Sequence, residues 1–336
     1  MTKPRIVHLL DDTTTGGVTR VVAHICNSPR LARQAQHEIR ILPKSAADVP
    51  VIDADVIVSH LTINWRGLAG LIALRGKHPH IKLIHVEHSY TQSFAALNVS
   101  KRERFFSLLR TAYSLFDNVV GVSRAQYSWL VTRDLVTPER SCVIRSAVDL
   151  SGFAALSAPT GACKVFGAIG RLEPQKGFDT LIMAISQVRD PDARLRIFGE
   201  GSQRAELERM AQMDPRITLE GHVTDPTTAM SEVQAVLLPS RWEAYGLVAQ
   251  ESLAAKRRTL VAPVDGLCDQ IEDGAYHVAS NTVAEWTRAI EASLAADLSK
   301  IPTSQERLSE RVNGVFERSW EGLIARSLQP ELAEAA

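Results

Sequence analysis

No stretch of this chain reaches eighteen consecutive apolar residues, so the sequence predicts no membrane-spanning helix. Cysteine is scarce: Cys26, Cys142, Cys163 and Cys268 are the whole supply, and none stands in a CxxC or CxxH spacing. That spacing argues against a structural zinc and for a reducing compartment, expected to be the cytoplasm. Acids arrive at Asp11 and Asp12, too early for a secretory signal, so Arg5–Leu10 reads as a first buried strand. The GxGxxG fingerprint is missing from both halves, which weakens a dinucleotide-binding oxidoreductase, and HExxH spacing is missing as well. Net charge is also lacking, at a formal +0, but the zero conceals a split. Residues 1–150 hold 19 Lys and Arg against 12 Asp and Glu, and the remainder holds 19 against 26. A basic half of that size can seek an anionic surface, yet it is too mild to imply nucleic acid. No internal repeat or low-complexity tract interrupts the chain.

What is present is a length of 336 residues, 45% hydrophobic and 23% charged, enough for two cores. Short apolar runs alternate with amphipathic stretches, the rhythm of parallel βαβ units. Strands are predicted at Arg5–Leu10, His37–Leu42, Asp55–Ser59, Lys82–Val86, Asn118–Val122 and Cys142–Ile144, with helices at Val18–Asn27, Arg66–Lys77, Lys101–Phe116 and Arg124–Asp134. The small-residue link Ser146–Pro159 marks a domain boundary. The rhythm then restarts, with strands at Lys164–Gly170, Leu195–Phe198, Ile217–Leu219, Ala235–Leu238, Thr259–Ala262 and Tyr276–Val278. Helices are predicted at Phe178–Gln187, Ser202–Gln212, Leu247–Ala255, Val283–Leu298 and Gln305–Leu328, the last with Trp320 on its apolar face.

The segment from Pro239 to Glu251 carries two acids, Glu243 and Glu251, eight positions apart, with a turn-prone Tyr245-Gly246 between them. A strand, a loop holding Glu243 and a helix holding Glu251 would aim both carboxylates at the carboxyl end of the strand, where open α/β sheets bind ligands. The amides of Gly246 and Leu247, at the helix start, suit a phosphate. Glu243 would then accept sugar hydroxyls and Glu251 ribose hydroxyls. Two solvated helix glutamates fit the spacing equally well. A second segment, from Phe166 to Asp179, places Arg171 and Lys176 in the loop after another buried strand. Two cations there suit a departing diphosphate, Arg as a bidentate fork and Lys as a point charge.

With these residues the chain resembles the retaining nucleotide-sugar glycosyltransferases of the GT-B fold, family 4. The matching positions are Gly16-Gly17, Gly170-Arg171-Leu172 with Lys176-Gly177, Gly199-Glu200-Gly201, Gly221-His222-Val223 and the Glu243/Glu251 pair. The resemblance covers nearly the whole chain and is strongest from Lys164 to Val278. It implies an α/β fold of two Rossmann-like domains facing each other across a cleft. The acceptor-side domain would span 1–150, the nucleotide-sugar domain 160–310, and a last helix at 311–336 would cross back to the first domain. It implies transfer of a hexosyl unit from a nucleotide diphosphate sugar to an acceptor hydroxyl with retention, in polysaccharide, glycolipid or glycoconjugate synthesis, with no cofactor and no metal. Gly16 and Gly17 would touch the donor diphosphate or the acceptor. Glu200 and Gly201 would lie beside the nucleotide, and the backbone at His222 and Val223 would read the base edge. His88, at a strand exit in the first half, would sit near the reacting carbon of the sugar. The acceptor stays open among a sugar, a lipid-linked sugar and a small molecule.

Ser202 is a plausible N-cap beside Gly201. Of the first-half pair, His85 reads as a wall residue, and His85, Glu87 and His88 lack metal-site spacing. Asp53-Ala54-Asp55 and Asp190-Pro191-Asp192 read as DxD, the metal-diphosphate motif of another fold, but a strand start and a proline turn fit them better. The basic helix from Lys101 to Arg110 puts Phe105, Leu108 and Leu109 on one face, for the core or for peripheral contact with the inner face of a membrane. Lys256-Arg257-Arg258-Thr259 stands where the family has Gly-x-Pro, and Asp265-Gly266-Leu267-Cys268-Asp269 departs from its Gly-Gly-x-x-Glu, which leaves donor identity open. A nucleotide-sugar epimerase of the same fold and a catalytically silent sugar-nucleotide-binding subunit are the rival readings.

Overall fold

The computed structural model describes residues 3–12, 16–43, 49–298 and 308–329. The chain divides into two compact units, the first of residues 1–148 with the chain from Val312 on, the second of Asp149–Arg311. Each is an α/β unit around one parallel six-stranded sheet.

In the first unit the strands are β1 Arg5–Leu10, β2 Gln36–Ile41, β3 Val56–Ser59, β4 Lys82–Glu87, β5 Asn118–Gly121 and β6 Ser141–Val143, in the order β2-β1-β3-β4-β5-β6. In the second they are β7 Val165–Ile169, β8 Arg194–Phe198, β9 Ile217–Gly221, β10 Ala235–Leu238, β11 Arg258–Val261 and β12 Tyr276–His277, in the order β12-β11-β10-β7-β8-β9. Counted within its own unit, the second order is 3-2-1-4-5-6 reversed end to end, so the strand order switches direction between β7 and β10.

Burial explains the composition of the strands. Parallel strands covered on both faces must be apolar throughout, and β3 and β10 are buried at all four positions. The edge strand β2 instead exposes Gln36, Ile39 and Ile41 and carries Glu38 and Arg40, and Arg5 of β1 binds Glu38 at 2.6 Å. The helices Leu68–Lys77, Arg102–Ser114 and Arg124–Thr132 cover the first sheet with Leu74, Leu109, Tyr113 and Trp129. In the second unit, Phe178–Ile185 and Val283–Leu294 pack on each other and bury Leu181, Ile185, Trp286 and Ile290. The last helix, Leu308–Ser327, buries Phe316, Trp320, Leu323 and Ile324, and its Glu321 binds Arg30 at 2.6 Å. The expected start of that helix, Gln305 to Arg307, lies outside the described residues.

Several boundaries differ from expectation for local reasons. The link Ser146–Pro159 contains a helical turn, Ser151–Ala154, whose Phe153 is buried. The helix expected at Ser202–Gln212 starts at Arg204, because the Ser202 hydroxyl and amide both donate to Glu173, at 2.6 and 2.9 Å. Ser202 is therefore not an N-cap. The helix expected to run on to Leu298 ends at Leu294, after which Asp297 bridges to Ala162. Short helices at Gln92–Asn98 and Pro226–Ser231 were missed, being too brief to show a period.

Candidate functional site

The site loops of the second unit leave the carboxyl ends of adjacent strands. Gly170 to Gly177 follows β7, Pro239 to Gly246 follows β10, Gly199 to Gly201 follows β8, and His222 and Val223 follow β9. The first two therefore flank the switch point.

Backbone bonds lock these loops together. The Leu172 amide donates to Glu200 O at 2.8 Å, and the Gly199 amide to Gly221 O at 2.7 Å. The Arg241 amide donates to Gln175 O at 2.8 Å, and Gln175 Nε2 returns a bond to Trp242 O at 3.0 Å. Arg241 also reaches Asp179 and Pro174 O, both at 2.6 Å. The close approach needs a glycine at 177. Its φ is +66°, and a Cβ there would lie 2.4 Å from Pro239 O.

This clamp joins Lys176 to Glu243, 67 residues later in the chain: Lys176 Nζ donates to Glu243 Oε2, and the side chains are 16% and 12% exposed. The Ser240 hydroxyl donates to the same oxygen at 3.1 Å. The Glu243 backbone is held by the turn Asp265–Gln270: its amide donates to Asp265 Oδ2 at 3.3 Å, and its carbonyl accepts from the Gly266 amide at 2.9 Å. The stem of Lys176 passes over Gly170. Gly246, with φ 87°, starts the helix Leu247–Ala254. Lys176 is thus mostly buried and paired rather than free in its loop. Arg171 is exposed, and its guanidinium donates to Gln175 Oε1 at 3.3 Å.

Glu251 lies in the second turn of that helix and is 1% exposed. Tyr245 is buried, its hydroxyl accepting from Gln250 at 2.7 Å. Glu200 is exposed and pairs with Arg204, and His222 is exposed beyond β9. Ser240 and Gln175 are support residues that sequence reasoning missed, although Ser240 stands only three positions before Glu243. Asp265 and Gly266 stand in the segment singled out as a departure from Gly-Gly-x-x-Glu, but their bonds to the Glu243 backbone were not legible there.

The departing segments have structural duties. Lys256 sits at φ 59° just past the helix end, the left-handed position that glycine favours. Its ammonium donates to Ala154 O and Leu156 O at 2.7 and 2.8 Å. Arg257 is 4% exposed and donates to Met230 O and Ser157 O, while Arg258 lies 3.9 Å over the Tyr276 ring. These three cations serve the scaffold. Both DxD sequences lie at amino ends of strands, away from the site loops: Asp190 pairs with Lys164 before β8, and Asp55 accepts from the Arg5 amide at 2.6 Å before β3.

In the first unit, Gly16 precedes the helix Gly17–Asn27, one residue earlier than expected, and exchanges bonds with the Thr19 hydroxyl, both at 2.9 Å. Thr13 to Thr15 of that loop lie outside the described residues. His88 exits β4 half-buried. Its turn is held by Glu87, whose Oε1 accepts from the Ser89 and Tyr90 amides at 2.7 and 3.0 Å and whose Oε2 accepts from the Tyr113 hydroxyl at 2.7 Å. Burial pushes the Glu87 carboxyl up, but His85, Tyr113 and the Tyr90 amide outweigh it and hold it below the usual range. His85 is 1% exposed and packs on Tyr113 and Phe116, a wall residue as expected. The basic helix turns Leu108 and Leu109 into the core and packs the half-buried Phe105 against it. No described helix is long and apolar enough to cross a membrane.

The family model for Glycosyltransferase Family 4 matches residues 7–151, and that for Glycosyl transferases group 1 matches residues 163–296. The D-inositol 3-phosphate glycosyltransferase of Mycobacterium ulcerans is 28% identical over 170 residues, 47% of this chain and 36% of that protein. A glycogen synthase of Mycobacterium tuberculosis is 32% identical over 141 residues, 39% of this chain and 34% of that one. The matched region thus spans about a third of the length of these curated relatives. Among solved structures, Anabaena Alr3699/HepE in complex with UDP superposes with a TM-score of 0.75 at 17% identity, over 96% of this chain and 100% of that one. Sucrose-phosphate synthase from Thermosynechococcus elongatus superposes at 0.73 and 17% identity, over 97% and 99%. These likenesses show the fold.

Proposed function

Because the chain belongs to the family 4 glycosyltransferases of the GT-B fold, we propose that it transfers a hexosyl unit from a nucleotide diphosphate sugar to an acceptor hydroxyl, with retention of configuration. The observation that carries this reading is the Lys176–Glu243–Ser240 cluster, built by the two loops that flank the switch point of the second sheet. A cation and an acid held there offer a charge for the leaving diphosphate and an acceptor for sugar hydroxyls. Arg171 adds a second, exposed cation. The first amides of the helix Leu247–Ala254 meet a phosphate oxygen, and Glu251 accepts from the ribose. Gly199 to Gly201 lie beside the nucleotide, and the His222-Val223 backbone lies at the base edge. Gly16 and Gly17 touch the diphosphate or the acceptor.

The Alr3699/HepE structures carry UDP and UDP-glucose, which makes uridine diphosphate sugars the first donors to try. In the step itself the glycosidic bond to the diphosphate breaks, the anomeric carbon bonds to the acceptor oxygen, and the leaving phosphate oxygen takes the acceptor proton. Diphosphate charge is met by Lys176, Arg171 and helix amides, so activity should persist in EDTA. The setting is glycoconjugate or polysaccharide synthesis in the cytoplasm.

The test is a thermal-shift panel of nucleotides and nucleotide sugars, followed by turnover of the best ligand with and without sugar acceptors. A ligand raises the midpoint according to RT ln(1 + [L]/Kd). Donor consumption only with an acceptor supports transfer. Conversion of the donor without an acceptor favours an epimerase, and binding without turnover favours a silent subunit.

A further inference from the structure

Four histidines of the first unit are bonded in series through their ring nitrogens. His37 Nδ1 lies 3.0 Å from His8 Nε2, His8 Nδ1 lies 3.0 Å from His60 Nε2, and His60 Nδ1 lies 2.9 Å from His88 Nε2. Consecutive rings stack with centroids 5.2 to 5.3 Å apart. The residues come from β2, β1, the exit of β3 and the exit of β4, four neighbouring strands in sheet order. Among the described residues no group of three or more His, Cys, Asp or Glu side chains is arranged to hold a metal ion.

A neutral imidazole carries one N–H, and each contact needs one N–H facing one lone pair. Satisfying any one contact then dictates all the others, so the series has only two states. In one, every ring is protonated at Nδ1 and the surplus N–H sits on His88 Nδ1. In the other, every ring is protonated at Nε2 and the surplus N–H sits on His37 Nε2. His37 Nε2 is buried and has no hydrogen-bond partner among the described residues. A buried N–H without an acceptor is the rarer and costlier of the two orphans, compared with a buried lone pair.

We propose that His37, His8, His60 and His88 form one tautomeric relay, which fixes His88 with its proton on Nδ1 and makes His60 the residue that positions it. The relay is neutral at ordinary pH. Burial lowers His8 to about 3 and His37 and His88 to about 4, and it lowers His60 well below its usual value, with the neighbouring imidazoles opposing charge further on His8, His60 and His88. Glu87 opposes that trend at His88, and His85 reinforces it at His60 and His88. His88 is then a fixed hydrogen-bond donor, suited to the lone pair of a hydroxyl or carbonyl oxygen and not to work as a base. If His88 meets the transferred sugar, a clause that rests on the reading above, it donates to a hydroxyl oxygen.

The test needs no substrate. Long-range ¹H–¹⁵N spectra of the ligand-free full chain, labelled at histidine nitrogens, should show four imidazoles of pyrrole type at Nδ1 and pyridine type at Nε2 at pH 7. His60→Leu should leave His88 in mixed tautomers with a raised pKa, whereas His60→Asn, which keeps an N–H donor toward His88, should restore the single tautomer. A parent spectrum with Nε2 protonated in these rings overturns the proposal. So does an unchanged His88 signature in folded His60→Leu. If His60→Leu does not fold, the parent spectrum decides alone. Loss of sugar transfer with an intact Nδ1 signature would count against the functional reading and leave the relay standing.

Discussion

In the second sheet the polar groups nearest the switch point are charged and sit in loops, with Lys176 against Glu243 at the carboxyl edge. In the first sheet they are imidazoles drawn from the strands and strand exits, bonded nitrogen to nitrogen and neutral. The same parallel architecture thus hosts polarity in two ways. A loop at a strand end can hold an ion pair at the edge of solvent. A layer covered on both faces carries a charge only where donors surround it, as they surround Glu87, so its polar groups must satisfy one another. The first arrangement can be rearranged by a ligand; the second resists one.

The sharpest way to break the contrast is to remove the charges. Lys176→Ala and Glu243→Gln should each lower kcat/KM by about a hundredfold or more, as expected for a preorganised charge stabiliser. Because the pair is mostly buried, each change should also cost about 1–3 kcal/mol of stability by stranding its partner. Arg171→Ala should lower the rate without that stability loss. Steady-state kinetics and urea melts separate the two, and a Lys176 variant within threefold of the parent would detach the clamp from function.

Acid probes the first sheet. An unfolded imidazole titrates near 6.5, whereas His8, His37 and His88 are lowered to between about 3 and about 4. Between pH 6.5 and 4 the unfolded chain therefore binds protons that the folded unit refuses, and stability falls as pH falls. Each imidazole contributes up to about 1.4 kcal/mol per pH unit. Urea midpoints at pH 7 and pH 5 should differ, with the lower midpoint at pH 5, and less so in His37→Gln; identical midpoints would mean that the folded imidazoles take up protons as the unfolded ones do.

Gly177→Ala forces a Cβ within 2.4 Å of Pro239 O at a positive φ. It should cost about 1–3 kcal/mol and loosen the clamp, raising KM together with lowering kcat. Glu251→Gln should weaken binding of the free nucleoside diphosphate about tenfold, an effect of roughly 1.5 kcal/mol for a charged acceptor. Glu243→Gln should leave that binding near the parent. Calorimetric titration of both checks the division of labour, and a reversed result exchanges their roles. The smallest effect belongs to Lys256→Gly. Relief of the left-handed backbone should nearly offset the two lost carbonyl bonds, for a net change within about 1 kcal/mol by thermal melt.

Sequence exposed the second unit's site more readily than the first's. Strand ends, Gly-rich turns and the acids of Pro239 to Glu251 are local signals, readable within a dozen residues. Lys176 and Glu243 are 67 residues apart, so their pairing depends on which strands neighbour one another. The imidazole series is harder still: its four histidines lie in four separate segments, with bonded partners 28 to 52 residues away. Only the strand order brings them together. Lys256 was visible as a departure from Gly-x-Pro, but its φ and its carbonyl partners were not.

The turn Asp265–Gln270 that holds the Glu243 backbone also carries Cys268, the one exposed thiol among the described cysteines. Partial burial, with Asp269 and Asp265 nearby, raises its pKa, so mildly alkaline conditions favour its alkylation. An environment-sensitive dye attached there would sit on the segment that supports Glu243. It could report donor arrival as a change in fluorescence, in real time and with no radiolabelled sugar.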